Sequence, residues 1–208
     1  MPTDSPATST DSQDPTDVKR VGRAYHQRRN VRFIVDSTAD YAPGVTDALG
    51  VEVIPFTYMT PEGEQVDDLW ATSDPHEFYE TMRKNPTLHY TTSAVTPGRY
   101  YEVFERAALD GMPTMYIGLS SGLSSSIDSA RQAQGMIKEK YPGFELYVLD
   151  TACDSAASEL LAIEMVHQAS LGFSAEELYA WACDARYFLH GYFTLDSFDA
   201  LAAGGRIP

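Results

Sequence analysis

The stretch YIGLSSGLSSS at residues 116–126 joins an apolar run to a helical pattern. Residues Thr114–Leu119 predict a buried strand, and Ile127–Lys140 have the spacing of a helix. The serines therefore lie where a strand is followed by a helix N-terminus. Unpaired backbone N–H groups, the helix dipole and short hydroxyl side chains favour a carboxylate or a phosphate at such a position. We therefore expect a small anionic ligand at residues 120–126.

Strand and helix patterns alternate on both sides of this stretch. Apolar runs at Val31–Val35 and Glu145–Leu149 predict further strands, and Pro97–Leu109 predicts the helix before the central strand. This order predicts an α/β fold with a parallel sheet and flanking helices. We also expect a strand at Val51–Met59 that bends at Pro55, because proline favours the edge of a sheet.

Composition divides the chain into three parts. Residues 1–30 contain Ser, Thr, Pro and Asp with almost no aliphatic pattern, so we predict a disordered tail. Residues 31–152 form the predicted parallel-sheet domain. Residues 153–208 are predicted to hold two long helices, a strand at Gly191–Leu195 and a short helix, as the incomplete start of a second α/β domain. Because the chain stops on Gly204–Pro208 directly after a helix, we expect a fragment or a truncated gene product.

Charge and hydropathy exclude several classes of protein. The formal net charge of −15 repels phosphate backbones, so we expect no nucleic-acid binding, and we interpret the short basic patch at residues 19–29 as a solvated linker. No run approaches the ~18 apolar residues of a membrane span, and residues 1–30 show no apolar h-region of a signal peptide, so we expect a cytoplasmic protein without stable membrane insertion. Cys153 and Cys183 are predicted to be buried and reduced, and no motif indicates a metal or a cofactor.

The sequence Gly118-Leu-Ser-Ser-Gly122 also fits the nucleophile elbow of α/β-hydrolases. A serine hydrolase that uses Ser120 is therefore an alternative function. Such an enzyme needs a histidine, and the histidines after Ser120 are His167, inside a helical run, and His190, before the predicted strand. Neither has the loop context of a catalytic histidine, so we predict no catalytic residue.

Three hydroxyl-bearing segments follow predicted strands or precede helices: 36–38, 92–93 and 120–126. The second of them lies in a predicted loop at 91–97. Each segment alone is also explained as a helix cap. Ligands of parallel sheets bind outside the carboxyl ends of the strands, where these segments are expected to meet. Their co-occurrence therefore favours one shared binding site.

Six short motifs, in this order along the chain, resemble the DegV family of bacterial fatty-acid-binding proteins. They are Asp-Ser-Thr-Ala-Asp at 36–40, Ile-Pro-Phe at 54–56, Thr-Ser at 92–93, Ser-Ser-Gly-Leu-Ser at 120–124, Leu-Asp-Thr at 149–151 and Gly-Gly-Arg-Ile at 204–207. The resemblance runs from Val31 to Ile207. It implies an apolar tunnel for one long-chain fatty acid, whose head group is bound by hydroxyls.

The resemblance also implies a function and a set of site residues. The chain would be a lipid-binding protein and not an enzyme, and it would present the fatty-acid carboxylate to a fatty-acid kinase partner that forms the acyl phosphate. Thr92 and Ser124 would donate to the carboxylate, and Arg206 would be the nearby cation. With the neighbouring hydroxyls, the predicted ligand-binding set is Thr92, Ser93, Ser121, Ser124, Ser125 and Arg206.

The chain departs from the family pattern in two places. Ser125 stands where the family has a glycine, so we expect altered loop geometry or affinity. The family also continues beyond the equivalent of Pro208 through a second domain, which supplies the other wall of the tunnel. A non-functional truncated fragment is therefore the third hypothesis, after the lipid-binding protein and the hydrolase.

Overall fold

A computed structural model describes residues 29–85, 90–195 and 197–207. The strands are β1 (Arg32–Asp36), β2 (Glu52–Ile54), β3 (Thr57–Thr60), β4 (Gly63–Val66), β5 (Thr91–Ser93), β6 (Thr114–Gly118) and β7 (Leu146–Asp150). The α-helices are α1 (Val45–Leu49), α2 (Pro75–Lys84), α3 (Pro97–Asp110), α4 (Ser126–Lys140), α5 (Ser155–Ser170), α6 (Ala175–Ala185) and α7 (Asp199–Ala203). Of the tail predicted at 1–30, only Arg29 and Asn30 are described; Arg29 donates to the carbonyls of Leu49 and Gly50 at the end of α1.

The main sheet has the strand order β2-β1-β6-β7, and all its strand pairs are parallel. Strand β6 lies between β1 and β7, and all five of its residues are buried. An apolar run of this length is typical of a strand that is covered on both faces. The predicted α/β fold with a parallel sheet is therefore confirmed.

Successive residues of β6 and β1 point to opposite faces, and each face has its own apolar core. Tyr116 packs with Phe104 of α3 on one face. On the other face Phe33 shares a core with Leu161 of α5 and Leu178 of α6. Helices α5 and α6, which lie in the segment predicted at 153–208, therefore pack on the parallel sheet, and their residues share its core.

A second, antiparallel sheet has the order β4-β3-β5 and was not predicted. The strand expected at Val51–Met59 is two strands in two different sheets. The break falls at Pro55, which has no backbone N–H to continue the parallel ladder. Strand β4 follows β3 and had no strand predicted at its residues, and β5 occupies residues predicted as a loop, where Ser93 pairs with Thr57.

The C-terminal part differs from the prediction. Residues 191–195 form no strand in the described structure, and Tyr192 is 94% exposed, so nothing buries a strand there. Cys153 and Cys183 are half-buried and not fully buried as predicted, and both are free thiols. Among the described residues, no helix is both long enough and apolar enough to span a bilayer.

Candidate functional site

A cavity of about 560 Å³ opens at the carboxyl ends of β1 and β6, against the antiparallel sheet. We call it the strand-end cavity. Its polar walls include hydroxyls from all three segments singled out in the sequence and one guanidinium group: Thr38, Thr92, Ser124, Ser125 and Arg206. Its apolar walls include Phe56, Leu119, Leu123 and Leu201. A cavity that is lined partly by polar and partly by apolar side chains suits an amphipathic ligand.

Four of the six predicted site residues line this cavity, namely Thr92, Ser124, Ser125 and Arg206. Ser93 and Ser121 do not. Ser93 follows Thr92 along β5, so its side chain points to the opposite face of the strand. The backbone N–H of Ser121 donates instead to the Asp150 carboxylate at 3.2 Å.

Thr92 and Arg206 present their polar groups to the cavity from distant parts of the sequence. Thr92 is exposed on β5, and its hydroxyl has no hydrogen-bond partner in the described part of the chain. The Arg206 guanidinium donates to the carbonyl of Gly204 at 2.6 Å and is otherwise exposed. Both groups are therefore open to a ligand without the loss of a strong internal bond.

Ser124 has a second role at the start of α4. Its Oγ donates to Ser126 Oγ at 3.0 Å and accepts from the Ser126 backbone N–H at 3.2 Å. Ser125 has φ −78° and ψ 1°, a conformation open to any L-residue, and its side chain makes no capping bond. Serine in place of the family glycine therefore strains no backbone here.

A buried carboxyl group, that of Asp36, lies beneath the cavity and is 2% exposed. It accepts hydrogen bonds from Tyr116 Oη at 3.0 Å, Leu119 N at 3.0 Å and Thr38 N at 3.1 Å, and also from the Thr38 hydroxyl. Burial raises the pKa of Asp36, and the four hydrogen bonds act in the opposite direction. The sequence analysis placed Asp36 in a hydroxyl segment but gave it no role.

A second cavity, of about 250 Å³, adjoins the first and shares Tyr58, Asp67 and Thr92 with it. We call it the aromatic cavity. Its walls carry the rings of Tyr58, Trp70, Phe78, Tyr79 and Tyr90. The ring centroid of Phe78 lies 5.1 Å from that of Tyr90 and 5.4 Å from that of Trp70. Burial is the main cause that raises the pKa of Tyr58, and the negative charges of Asp67 and Asp68 raise it further. These rings were not predicted as site residues, because they are spread over a strand, a turn, a helix and the residue before β5.

The geometry around Ser120 gives no support to the hydrolase. Ser120 Oγ accepts from the Gly122 N–H at 3.2 Å, within its own turn. His167 lies within α5, where its Nδ1 is 3.5 Å from Glu164 of the same helix, and His190 is exposed. The described residues also contain no group of three His, Cys, Asp or Glu side chains that could hold a metal ion.

Comparison with known proteins gives consistent matches. Residues 30–208 match a family described as the DegV family of uncharacterised proteins. A DegV domain-containing protein of Clostridium perfringens is 29% identical over 178 residues, which is 85% of this chain and 60% of that protein. The YteA protein of Lactococcus lactis, also DegV domain-containing, is 30% identical over 177 residues, 85% of this chain and 61% of its own length. The chain thus spans about 60% of the length of these relatives.

Solved structures share the fold. A DegV family protein of Ruminococcus gnavus, described with vaccenic acid, superposes with a TM-score of 0.75 at 23% identity, over 85% of this chain and 62% of that one. A fatty-acid-binding DegV family protein of Thermus thermophilus gives 0.70 at 23%, over 85% and 60%. The fatty acid kinase B3 protein of Streptococcus pneumoniae, loaded with linoleic acid, gives 0.62 at 23%, over 76% and 54%. From the match over residues 30–208 and this shared fold, the chain belongs to the DegV family.

Proposed function

We propose that the chain binds a long-chain fatty acid, with the carboxylate in the strand-end cavity and the acyl chain along the aromatic cavity. The observation that carries the proposal is the meeting of Thr92, Ser124, Ser125 and Arg206 in one cavity. These residues come from separate parts of the sequence, and all of them offer donors. Fatty-acid ligands described for structural neighbours support the same ligand class.

The head group would be bound by a few aimed donors. The free hydroxyl of Thr92 and the guanidinium of Arg206 are both available, and hydrogen bonds to a charged carboxylate are stronger than bonds between neutral groups. Asp67 also lines the cavity and repels a carboxylate. In a chain of net charge −15, the local cation Arg206 is therefore needed to offset this repulsion.

The acyl chain would contribute most of the binding free energy. Each buried methylene is worth about 0.8 kcal/mol, and the aromatic cavity offers the rings of Tyr58, Trp70 and Phe78 as walls. Because Tyr58 and Thr92 belong to both cavities, a carboxylate bound at Thr92 places the first methylenes beside these rings.

The finer part of the proposal concerns the partner. The sequence contains no Walker A loop, so phosphoryl transfer to the carboxylate would belong to a separate kinase subunit. The name of the Streptococcus pneumoniae neighbour supports this role. The chain would then bind and present its ligand without chemistry of its own.

Tryptophan fluorescence offers a direct test, because Trp70 lines the aromatic cavity, whereas Trp181, in α6, lines neither of the two cavities. In a Trp181→Phe background we expect saturable quenching of Trp70 by a brominated fatty acid. Native mass spectrometry of the purified chain should also show co-purified fatty acid. The absence of both signals would refute the proposal. Adding the kinase subunit and ATP to the loaded chain then tests presentation separately.

A further inference from the structure

A chain of polar groups runs through the core from Asp36 towards the strand-end cavity. The hydroxyl of Tyr116 donates to Asp36 at 3.0 Å and lies 2.7 Å from the hydroxyl of Tyr100. The hydroxyl of Ser126 interacts with that of Tyr100, and Ser124 Oγ donates to Ser126 Oγ at 3.0 Å. Both tyrosines are fully buried, and Ser126 is 1% exposed. The chain therefore has no contact with water until it reaches Ser124.

The carboxyl group of Asp36 also accepts hydrogen bonds directly from two residues that line the cavity. Thr38 donates to it through both its N–H and its hydroxyl, and Leu119 donates through its N–H. Thr38 follows β1 and Leu119 follows β6, so one carboxyl group ties two neighbouring strand ends together. Thr38, Leu119 and Ser124 all line the strand-end cavity.

Burying a carboxyl group is costly, and the sheet alone does not require it. A turn after β1 needs only the two bonds to Thr38, which an exposed aspartate makes equally well. The extra bonds from Tyr116 and Leu119 come from β6, across the sheet. These bonds fix the position of the end of β6 relative to β1, and therefore the start of the serine-containing segment at residues 120–126.

We propose that Asp36 is a positioning residue of the carboxylate site, which holds Thr38 and Leu119 directly and Ser124 through Tyr116, Tyr100 and Ser126. The inference rests on the proposed function for the identity of the ligand, while the coupling itself belongs to the ligand-free chain. Ser124 has one hydroxyl proton, which it uses to donate a hydrogen bond to Ser126 Oγ. It can turn that proton towards a ligand because Val95 N also donates to Ser126 Oγ, at 3.2 Å.

The coupling is tested first without any lipid, by amide hydrogen exchange on the full chain. Tyr100→Phe keeps the ring in the core and removes the hydroxyl. We expect roughly fivefold faster exchange at Ser126 and Val95, the factor that loss of one ordinary hydrogen bond implies. Tyr101→Phe is the matched control, because the next tyrosine of α3 donates to Glu105 at the surface, at 2.7 Å. Amides in the middle of β1 report any general loss of stability.

A second variant tests the anchor itself. Asp36→Asn keeps the size of the side chain but leaves one acceptor oxygen where Asp36 has two. We expect faster exchange at Leu119 or at Thr38, whichever loses its acceptor, with the other amide nearly unchanged. Exchange rates at Thr38, Leu119, Val95 and Ser126 that all match the wild type in both variants would overturn the inference, whether or not the chain binds lipid.

Ligand binding supplies a readout that a merely structural role would not move. We expect Tyr100→Phe to weaken palmitate binding by about three- to tenfold, part of the value of one charged hydrogen bond, and to leave hexadecanol affinity unchanged. Equal losses for the acid and the alcohol would show a general effect and overturn positioning. A wild-type chain that binds neither ligand would refute the proposed function alone, since the exchange measurements would still decide the coupling.

Discussion

Replacing Thr92 by valine separates the proposed head-group contact from the stability of the fold. Thr92 is exposed, and its hydroxyl has no partner among the described residues, so its removal breaks none of the hydrogen bonds described. Valine keeps the branched shape that suits a strand. We therefore expect the free energy of unfolding to change by less than about 0.5 kcal/mol. Losing a hydrogen bond to the ligand carboxylate costs about 1.5–3 kcal/mol, which is roughly a ten- to hundredfold increase in Kd.

The assay is the binding of palmitate to delipidated chain, followed by Trp70 quenching or by calorimetry, with urea unfolding in parallel. Thr91→Val is the matched control: the same substitution one residue earlier on β5, on the opposite face and outside both cavities. Palmitate affinity in Thr92→Val equal to that of the wild type would refute the reasoning. An equal loss in Thr91→Val would do so too, because it would point to the strand and not to the hydroxyl.

Three further predictions concern Arg206, Ser124 and Gly118, and the last has a matched control. Arg206→Gln should weaken palmitate binding by up to about fivefold, because the guanidinium is exposed, and it should flatten the salt dependence of Kd. Ser124→Ala should lower both palmitate affinity and the free energy of unfolding, the latter by about 1 kcal/mol, since Ser124 also bonds to the start of α4; a change in stability alone would remove it from the head-group site. Gly118→Ala should lower the free energy of unfolding in urea by about 1–3 kcal/mol, because its Cβ would lie 2.7 Å from the Tyr116 ring. Gly122→Ala is the control and should not destabilise the fold, because its Cβ would meet its nearest atom at 3.4 Å. Equal effects of the two substitutions would contradict this steric explanation.

The parallel sheet was predictable because burial leaves a clear pattern in its strands. Residues Thr114–Leu119 were expected as a strand, and β6 occupies Thr114–Gly118 with every residue buried. The helix expected at Ile127–Lys140 begins one residue earlier, at Ser126. A strand that is covered on both faces needs an unbroken apolar run, and few other elements of this length have one.

The antiparallel sheet was missed because its strands have little burial to reveal them. Three of the four residues of β4 and all three of β5 are exposed. A strand whose side chains are exposed on both faces lacks the alternation of apolar and polar residues by which a strand is predicted. These segments therefore have the composition of loops. Their pairing depends on β3, whose separation from β2 requires the break at Pro55. That break was expected to bend one strand and instead divides it between two sheets.

The buried polar groups that lie behind the cavity were given no role in the sequence analysis. Tyr100 lies in the predicted helix and Tyr116 in the predicted strand, and neither was given a role of its own, since a ring in a buried strand or helix gives no sign of what its hydroxyl contacts. Thr92, Ser124 and Arg206 came from the family resemblance. Thus the groups that line the cavity could be proposed from short motifs, whereas the contacts of the groups behind them depend on the tertiary structure.

The Gly118-Leu-Ser-Ser-Gly122 motif shows how one sequence supports two explanations until the contacts are known. In a nucleophile elbow the glycines relieve a strained turn at the serine, yet Ser120 is not among the described residues with positive φ. Gly118 is required for another reason: its position two residues after Tyr116 leaves only 2.9 Å between a Cβ and the Tyr116 hydroxyl. That hydroxyl is the group that donates to Asp36. The first glycine of the motif therefore makes room for the hydrogen-bonded groups beneath the cavity, and Ser124 and Ser125, which follow the motif, supply part of the polar wall of the cavity.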